Sequence, residues 1–200
     1  SINSVYIVGT NPEGLKIAKN KIDELQQSMN ISIPVTYFPG GNKISRECYK
    51  EAIKIILKPA CAIIAVPDSQ HKEIAGYAIA EGLHTLVMKP LAPTLKEVRE
   101  LIEIQERNKV YCAVEFHKRF DLANLKLKDT IESGSIGDPL YFLVEYSQRK
   151  SVPAERFAKW VQETNVFQYL GIHYVDIIYF ATKAVPKRAM ANGQKGWLAS

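Results

Sequence analysis

Cysteine is scarce in this 200-residue chain: there are three, Cys48, Cys61 and Cys112, with no CxxC spacing. An odd, scattered set excludes a disulfide-built scaffold and offers no metal-ligand spacing, so no metal is expected. Cys61 and Cys112 fall in stretches that read as strands, and the thiols are expected to be buried in a reducing cytosol. Long apolar runs are missing as well. The segment YLGIHYVDIIYFAT carries His173 and Asp176 and is too short to span a bilayer. The opening SINSVYIVGT has no basic region leading into a long apolar stretch, so no secretory leader is read there. A strong excess of one charge is absent too. Net charge is +5 with a pI near 9.0, and Lys and Arg are interleaved with Glu, as in KEVRELIEIQERNK. Such interleaving marks solvated helix faces, and a mildly basic surface also suits phosphorylated ligands. No nucleic-acid-binding module is present, so neither nucleic acid nor membrane is an expected partner. Repeats and low-complexity tracts are lacking. The reading is a cytoplasmic protein.

What is present is 46% apolar and 24% charged residues, enough for one large domain or two small ones. SVYIVGT, IPVTYF, CAIIAVP, HTLVMKP and KVYCAVEF read as strands. Between them, NPEGLKIAKNKIDELQQSMN, SRECYKEAIKIILK, SQHKEIAGYAIAEG and PTLKEVRELIEIQERN read as helices, with Ser45 a candidate N-cap for the second. This alternation predicts an α/β fold with a doubly wound parallel sheet over residues 1–118. The rhythm then changes. A helix over 121–132 leads to SGSIGDP, a long strand LYFLVEYSQRK, a helix over 166–182, and a tail PKRAMANGQKGW that resembles the start of another strand. A second domain is therefore placed at 119–200.

Ligands of doubly wound sheets bind outside the carboxyl ends of the strands. Those ends are VGTNPEG, AVPDSQH, MKP and EFHKRF, where polar and special-backbone residues cluster. In AVPDSQH, Pro67 stops the strand, and Asp68 or Ser69 can cap the next helix. In MKP, Lys89 projects into the crevice, where an ammonium can bind a substrate hydroxyl and stabilise a developing alkoxide. A cis bond at Pro90 would fix its direction. The structural alternative is a lysine that snorkels to the surface. In QYLGIHYVDIIYF, helical spacing puts Tyr169 and His173 on one face, with Asp176 also near His173. A histidine suits proton transfer near neutral pH. A core histidine is the plain alternative, and Asp176 either orients a base or makes a structural hydrogen bond.

The order AVPDSQH…AIAEGLHTLVMKPLAPTLKEVREL…VEFHKRFD…GSIGDP…LGIHYVDII resembles the glucose-fructose oxidoreductase / inositol dehydrogenase / MocA family over nearly the whole chain. The resemblance implies a Rossmann domain followed by an α+β domain with an open, mostly antiparallel sheet. It implies hydride transfer between NAD or NADP and a hydroxyl- or carbonyl-bearing carbon of a sugar-like or polyol substrate. It implies that Lys89 contacts substrate and positions the nicotinamide, that His173 accepts the substrate proton, and that Pro67 and His71 line the cofactor. Arg119 maps to the arginine at the domain junction, whereas His117 has no role that the family assigns. On this resemblance the cofactor side comprises Gly9, Thr10, Asn11, Pro67, His71, Lys89, Pro90 and Arg119. The substrate side comprises Lys89, His117, Tyr169, His173 and Asp176, with Lys89, His173 and Tyr169 catalytic. A homo-oligomer formed through the second domain's sheet is also implied.

The chain departs from the family's pattern at three places. Tyr169 stands where many relatives have Asp, and a phenol relays a proton there only if Lys89 lowers its pKa. Met88 replaces the Glu before Lys89. The G-x-G-x-x-G fingerprint is absent, because Gly9 and Gly14 have the wrong spacing. SVYIVGT is therefore read as the family's second strand, with the chain the middle part of a longer protein. The residues after it, Gly9, Thr10 and Asn11, offer no carboxylate against a 2′-phosphate, which favours NADP. The competing reading is a catalytically silent relative that binds a dinucleotide or sugar and regulates.

Overall fold

The computed structural model describes residues 2–41, 43–156, 158 and 161–193. Strands and helices alternate from the start: β1 (Val5–Val8), α1 (Pro12–Met29), β2 (Val35–Phe38), α2 (Cys48–Ile55), β3 (Cys61–Ile64), α3 (His71–Ala80), β4 (His84–Met88), α4 (Leu95–Asn108) and β5 (Cys112–Glu115). The local chemistry of the ends accounts for several boundaries. Asn11 caps α1 by accepting from the Gly14 amide at 2.8 Å, Pro12 opens the helix, and Asn30 closes it in the left-handed region. Thr94 and Glu97 form a reciprocal capping box at the start of α4. Ser45 does not cap α2. Its carbonyl accepts from the Cys48 thiol and its amide donates to Thr10, so it ties the β1 turn to the helix instead.

All strand pairs are parallel, as expected, but they form two sheets, β1–β2 and β3–β4–β5. Helices α3 and α4 pack on one face of the larger sheet. Ile64, Ala75, Ile79, Val87, Ala92, Leu101 and Val110 make its core. Strand alternation sends the neighbouring side chains to the other face. There Ile63 is 69% exposed and Cys61 is exposed, so Cys61 is not the buried thiol expected of it. Cys48 is buried, Cys112 is half-buried, and all three thiols are free.

Beyond β5 a 3₁₀ turn, His117–Phe120, leads to α5 (Leu122–Glu132), and a π-helical turn, Phe167–Gly171, leads into α6 (Ile172–Thr182). α6 packs against α5 and buries one stripe, His173, Ile177 and Ala181. The expected strand over 140–150 is not formed, and no antiparallel pair exists among the described residues. A strand requires a paired strand for its main-chain groups, and among the described residues no strand pairs with this segment. The alternation persists in exposure alone. Tyr141 and Leu143 are 82% and 79% exposed, whereas Phe142, Val144 and Tyr146 are 37–44%. Tyr146 packs on Tyr174 of α6. Residues 186–193 form no strand, and the remainder of that expected strand lies outside the described residues. No described helix is long and apolar enough to cross a membrane.

Candidate active site

The carboxyl ends of β3, β4 and β5 meet the start of α6. β4 delivers Lys89, which is joined to Pro90 by the expected cis peptide bond. The Lys89 ammonium donates to the main-chain carbonyl of Tyr169, and its nitrogen lies 3.8 Å from the centroid of the Tyr169 ring. A partly desolvated cation over an aromatic face gains on the order of 1–2 kcal/mol. Burial pushes the Lys89 pKa below the ordinary lysine value, while Asp68 and Glu115 oppose that shift. These two carboxylates supply negative charge that Met88 does not.

Tyr169 sits in the π-helical turn, where main-chain hydrogen bonding is spaced one residue wider than in an α-helix. Gly171 lets Phe167 pack close in that turn: a Cβ there would fall 2.6 Å from Phe167 Cδ2 and the ring would have to shift. The Tyr169 phenol does not fit the proton-relay expectation. Its pKa is raised, by burial first and then by the charges of Asp68 and Tyr146. The ammonium lies over the ring face, so Tyr169 serves as a platform for Lys89.

His173 is 3% exposed, and its Nδ1 is buried without a hydrogen-bond partner among the described residues. Its pKa is lowered to about 4, by burial first and then by the charges of Lys89, His117 and Lys118, against Glu115. The ring is neutral at pH 7. It meets Phe116 edge-on at 6.1 Å and His117 at 4.8 Å between centroids. His117 Nδ1 lies 2.8 Å from a Glu115 oxygen.

The other expected residues frame this cluster. Both carboxylate oxygens of Asp176 accept from Arg119, at 2.7 and 2.5 Å, and the guanidinium lies over Phe116 and Phe180. Asp176 therefore pairs with Arg119 and not with His173, and the pair locks the turn after β5 onto α6. His71 is fully buried, with ring nitrogens 2.7 Å from the Pro90 carbonyl and 2.9 Å from that of Val66. It joins the turns after β3 and β4. Pro90 is buried beneath Lys89, and Pro67 opens a 3₁₀ turn. Gly9, Thr10 and Asn11 stand at the end of β1 in the other sheet.

Three residues at the site escaped the sequence pattern. Asp68 and Ser69 were read as helix caps, but α3 has no side-chain cap. Asp68 is 5% exposed and accepts from Thr164 and Gln168, while Ser69 donates to Glu163, so both reach across to the segment before α6. Glu115 had one available signal, a carboxylate two residues before a histidine at a strand end.

Known proteins share this fold. The family model described as an oxidoreductase family with an NAD-binding Rossmann fold matches residues 16–116, and the Gfo/Idh/MocA C-terminal domain matches residues 124–197. The NAD(+)-dependent scyllo-inositol 2-dehydrogenase of Bacillus subtilis is 32% identical over 132 residues, which is 66% of this chain and 38% of the relative. Among solved structures, a levoglucosan dehydrogenase bound to NADH and levoglucosan has a TM-score of 0.65 at 23% identity, over 90% of this chain and 45% of its own. The myo-inositol 2-dehydrogenase of Lactobacillus plantarum has a TM-score of 0.62 at 20% identity, over 92% and 57%. The chain spans 32–38% of the length of the first curated relatives it matches.

Proposed function

The chain belongs to the Gfo/Idh/MocA oxidoreductase family, and on that premise we propose that the protein transfers hydride between NAD or NADP and a hydroxyl- or carbonyl-bearing carbon of a sugar-like or polyol substrate. The observation that carries this reading is the convergence of a half-buried ammonium, Lys89, and a neutral buried imidazole, His173, at the strand ends. The nicotinamide, when bound, supplies the hydride acceptor or donor. One Lys89 N–H is held by Tyr169, and the others remain to bind the reacting oxygen and stabilise alkoxide character. His173 is uncharged and so accepts the hydroxyl proton. Its orphaned Nδ1 marks a polar position that the described residues leave unsatisfied.

The residues present fit a dinucleotide. Gly9, Thr10 and Asn11 line the turn after β1 and bring no carboxylate to repel a 2′-phosphate, and Lys89 would hold the nicotinamide end. A Rossmann sheet has the strand order 3-2-1-4-5-6. With β1 as its second strand, the observed sheets become 3-2 and 4-5-6, and a first strand fits between them. A helix following that strand would cover the face bearing Cys61 and Ile63. On the same reading, residues 1–118 and 119–200 are the dinucleotide and substrate units. The 140–148 segment joins an antiparallel sheet through which copies associate, and the free thiols accord with the cytoplasm. A silent regulatory role is less favoured, because the groups needed for proton and alkoxide handling are retained together.

The test is Lys89→Met and His173→Asn in the full-length protein, assayed on sugars and polyols at the nicotinamide absorbance. Each is expected to lower kcat by about 10²-fold or more while dinucleotide binding persists. Full turnover in either variant would refute the assignment.

A further inference from the structure

A buried base that takes a proton in every turnover also has to lose it. His173 is 3% exposed, so direct release to bulk water is blocked. Among the described residues, the His117 ring meets it edge-to-face, with centroids 4.8 Å apart. The His117 side chain is 57% exposed, so it spans from the buried ring to solvent. Its Nδ1 is engaged by Glu115 at 2.8 Å. A carboxylate makes that nitrogen the donor and leaves Nε2 as the proton acceptor. Glu115 is itself anchored as the strand partner of Met88, directly before Lys89.

We propose that the Glu115–His117 pair is the exit through which the proton taken up by His173 reaches solvent. This role presupposes the hydride-transfer reaction proposed above. As substrate is oxidised, the C–H bond breaks and its electron pair leaves with hydride to the oxidised nicotinamide. The O–H bond breaks, the carbonyl forms, and the proton goes to His173. His173 passes it to Nε2 of His117, directly or through one water, while Nδ1–H stays on Glu115. His117 then releases it to water or buffer, and both rings return to neutral. Burial, Lys89 and Lys118 oppose a cation on the buried ring, with Glu115 against them, whereas the His117 side chain reaches solvent. The proton therefore moves outward.

The test is His117→Gln in the full-length protein, since Gln keeps a donor for Glu115 but carries no proton. Stopped-flow mixing with oxidised dinucleotide and a turned-over polyol is expected to give a first-turnover burst at the wild-type rate. Steady-state turnover should fall by about 10²-fold and recover with added imidazole. Without substrate, NMR titration of His173, with a midpoint of about 4 in the wild type, should move upward once the neighbouring charge is gone. Wild-type steady-state turnover in the variant overturns the relay. So does loss of the burst without imidazole rescue, or an unmoved His173 midpoint. A wild-type protein that turns over no polyol defeats the hydride-transfer reading, and the relay falls with it.

Discussion

The β3–β5 sheet with α3 and α4 and the α5–α6 pair are held together in different ways. In the first, seven buried apolar side chains from two helices, two strands and their loops close one core. In the second, the buried residues of α5 and α6 are His173, Ile177 and Ala181, and Val175 and Tyr179 on α6 stay 44% and 46% exposed. The second region leans on the first through polar links. Lys89 donates to the Tyr169 carbonyl, Arg119 pairs with Asp176, and Asp68 and Ser69 reach 161–168. The proposed base thus sits on the thinly packed side, and its precision is borrowed from the sheet.

The sharpest way to break this contrast is His71→Ala, inside the well-packed side. The change removes two contacts to buried carbonyls and leaves a cavity under Pro90. The expected loss is about 4 kcal/mol of stability, read from urea unfolding of the full-length protein. A loss below about 1 kcal/mol would mean that the turns after β3 and β4 hold without their shared histidine.

The two sides also differ in how far they were legible. The strands of the first region are short apolar runs and its helices carry a 3.6-residue stripe, so local pattern marks each element. The lysine at the end of β4 and the cis bond after it were readable for the same reason: both are local. The Arg119–Asp176 pair and the Asp68–Gln168 contact join residues far apart in the chain, and nothing in either neighbourhood encodes the partner. Residues 140–150 have every local mark of a strand, yet pairing depends on a neighbour, which local pattern does not supply. Cys61 failed likewise. Its strand was read correctly, but burial depends on what covers the second face of the sheet.

A middling effect is expected from pH. His173 is held neutral on folding, with a midpoint of about 4 against 6.5 for the ordinary side chain. Between these values the unfolded chain binds more protons than the folded one, so stability is full above pH 6.5 and falls as pH drops towards 4. The cost reaches about 3 kcal/mol at the lower end. Urea midpoints measured across that window should slope in the wild type and flatten in His173→Phe. An equal slope in both would locate the acid sensitivity elsewhere.

The smallest expected effect probes the link between the two sides most directly. Asp68 is buried at the end of β3, and its carboxylate accepts from Thr164 and Gln168 at 3.2 and 3.4 Å, long bonds that an asparagine carbonyl keeps in part. Asp68→Asn should therefore cost little stability, about 1 kcal/mol. The charge is a separate matter. Asp68 holds up the Lys89 pKa against burial, so neutralising it lets that pKa fall. The alkaline limb of the rate profile should move to lower pH, and Lys89 should be acylated faster at a fixed pH because more of it is free amine. An acylation rate that does not change would mean that Asp68 only fastens the 161–168 segment, and that Glu115 alone offsets the burial of Lys89.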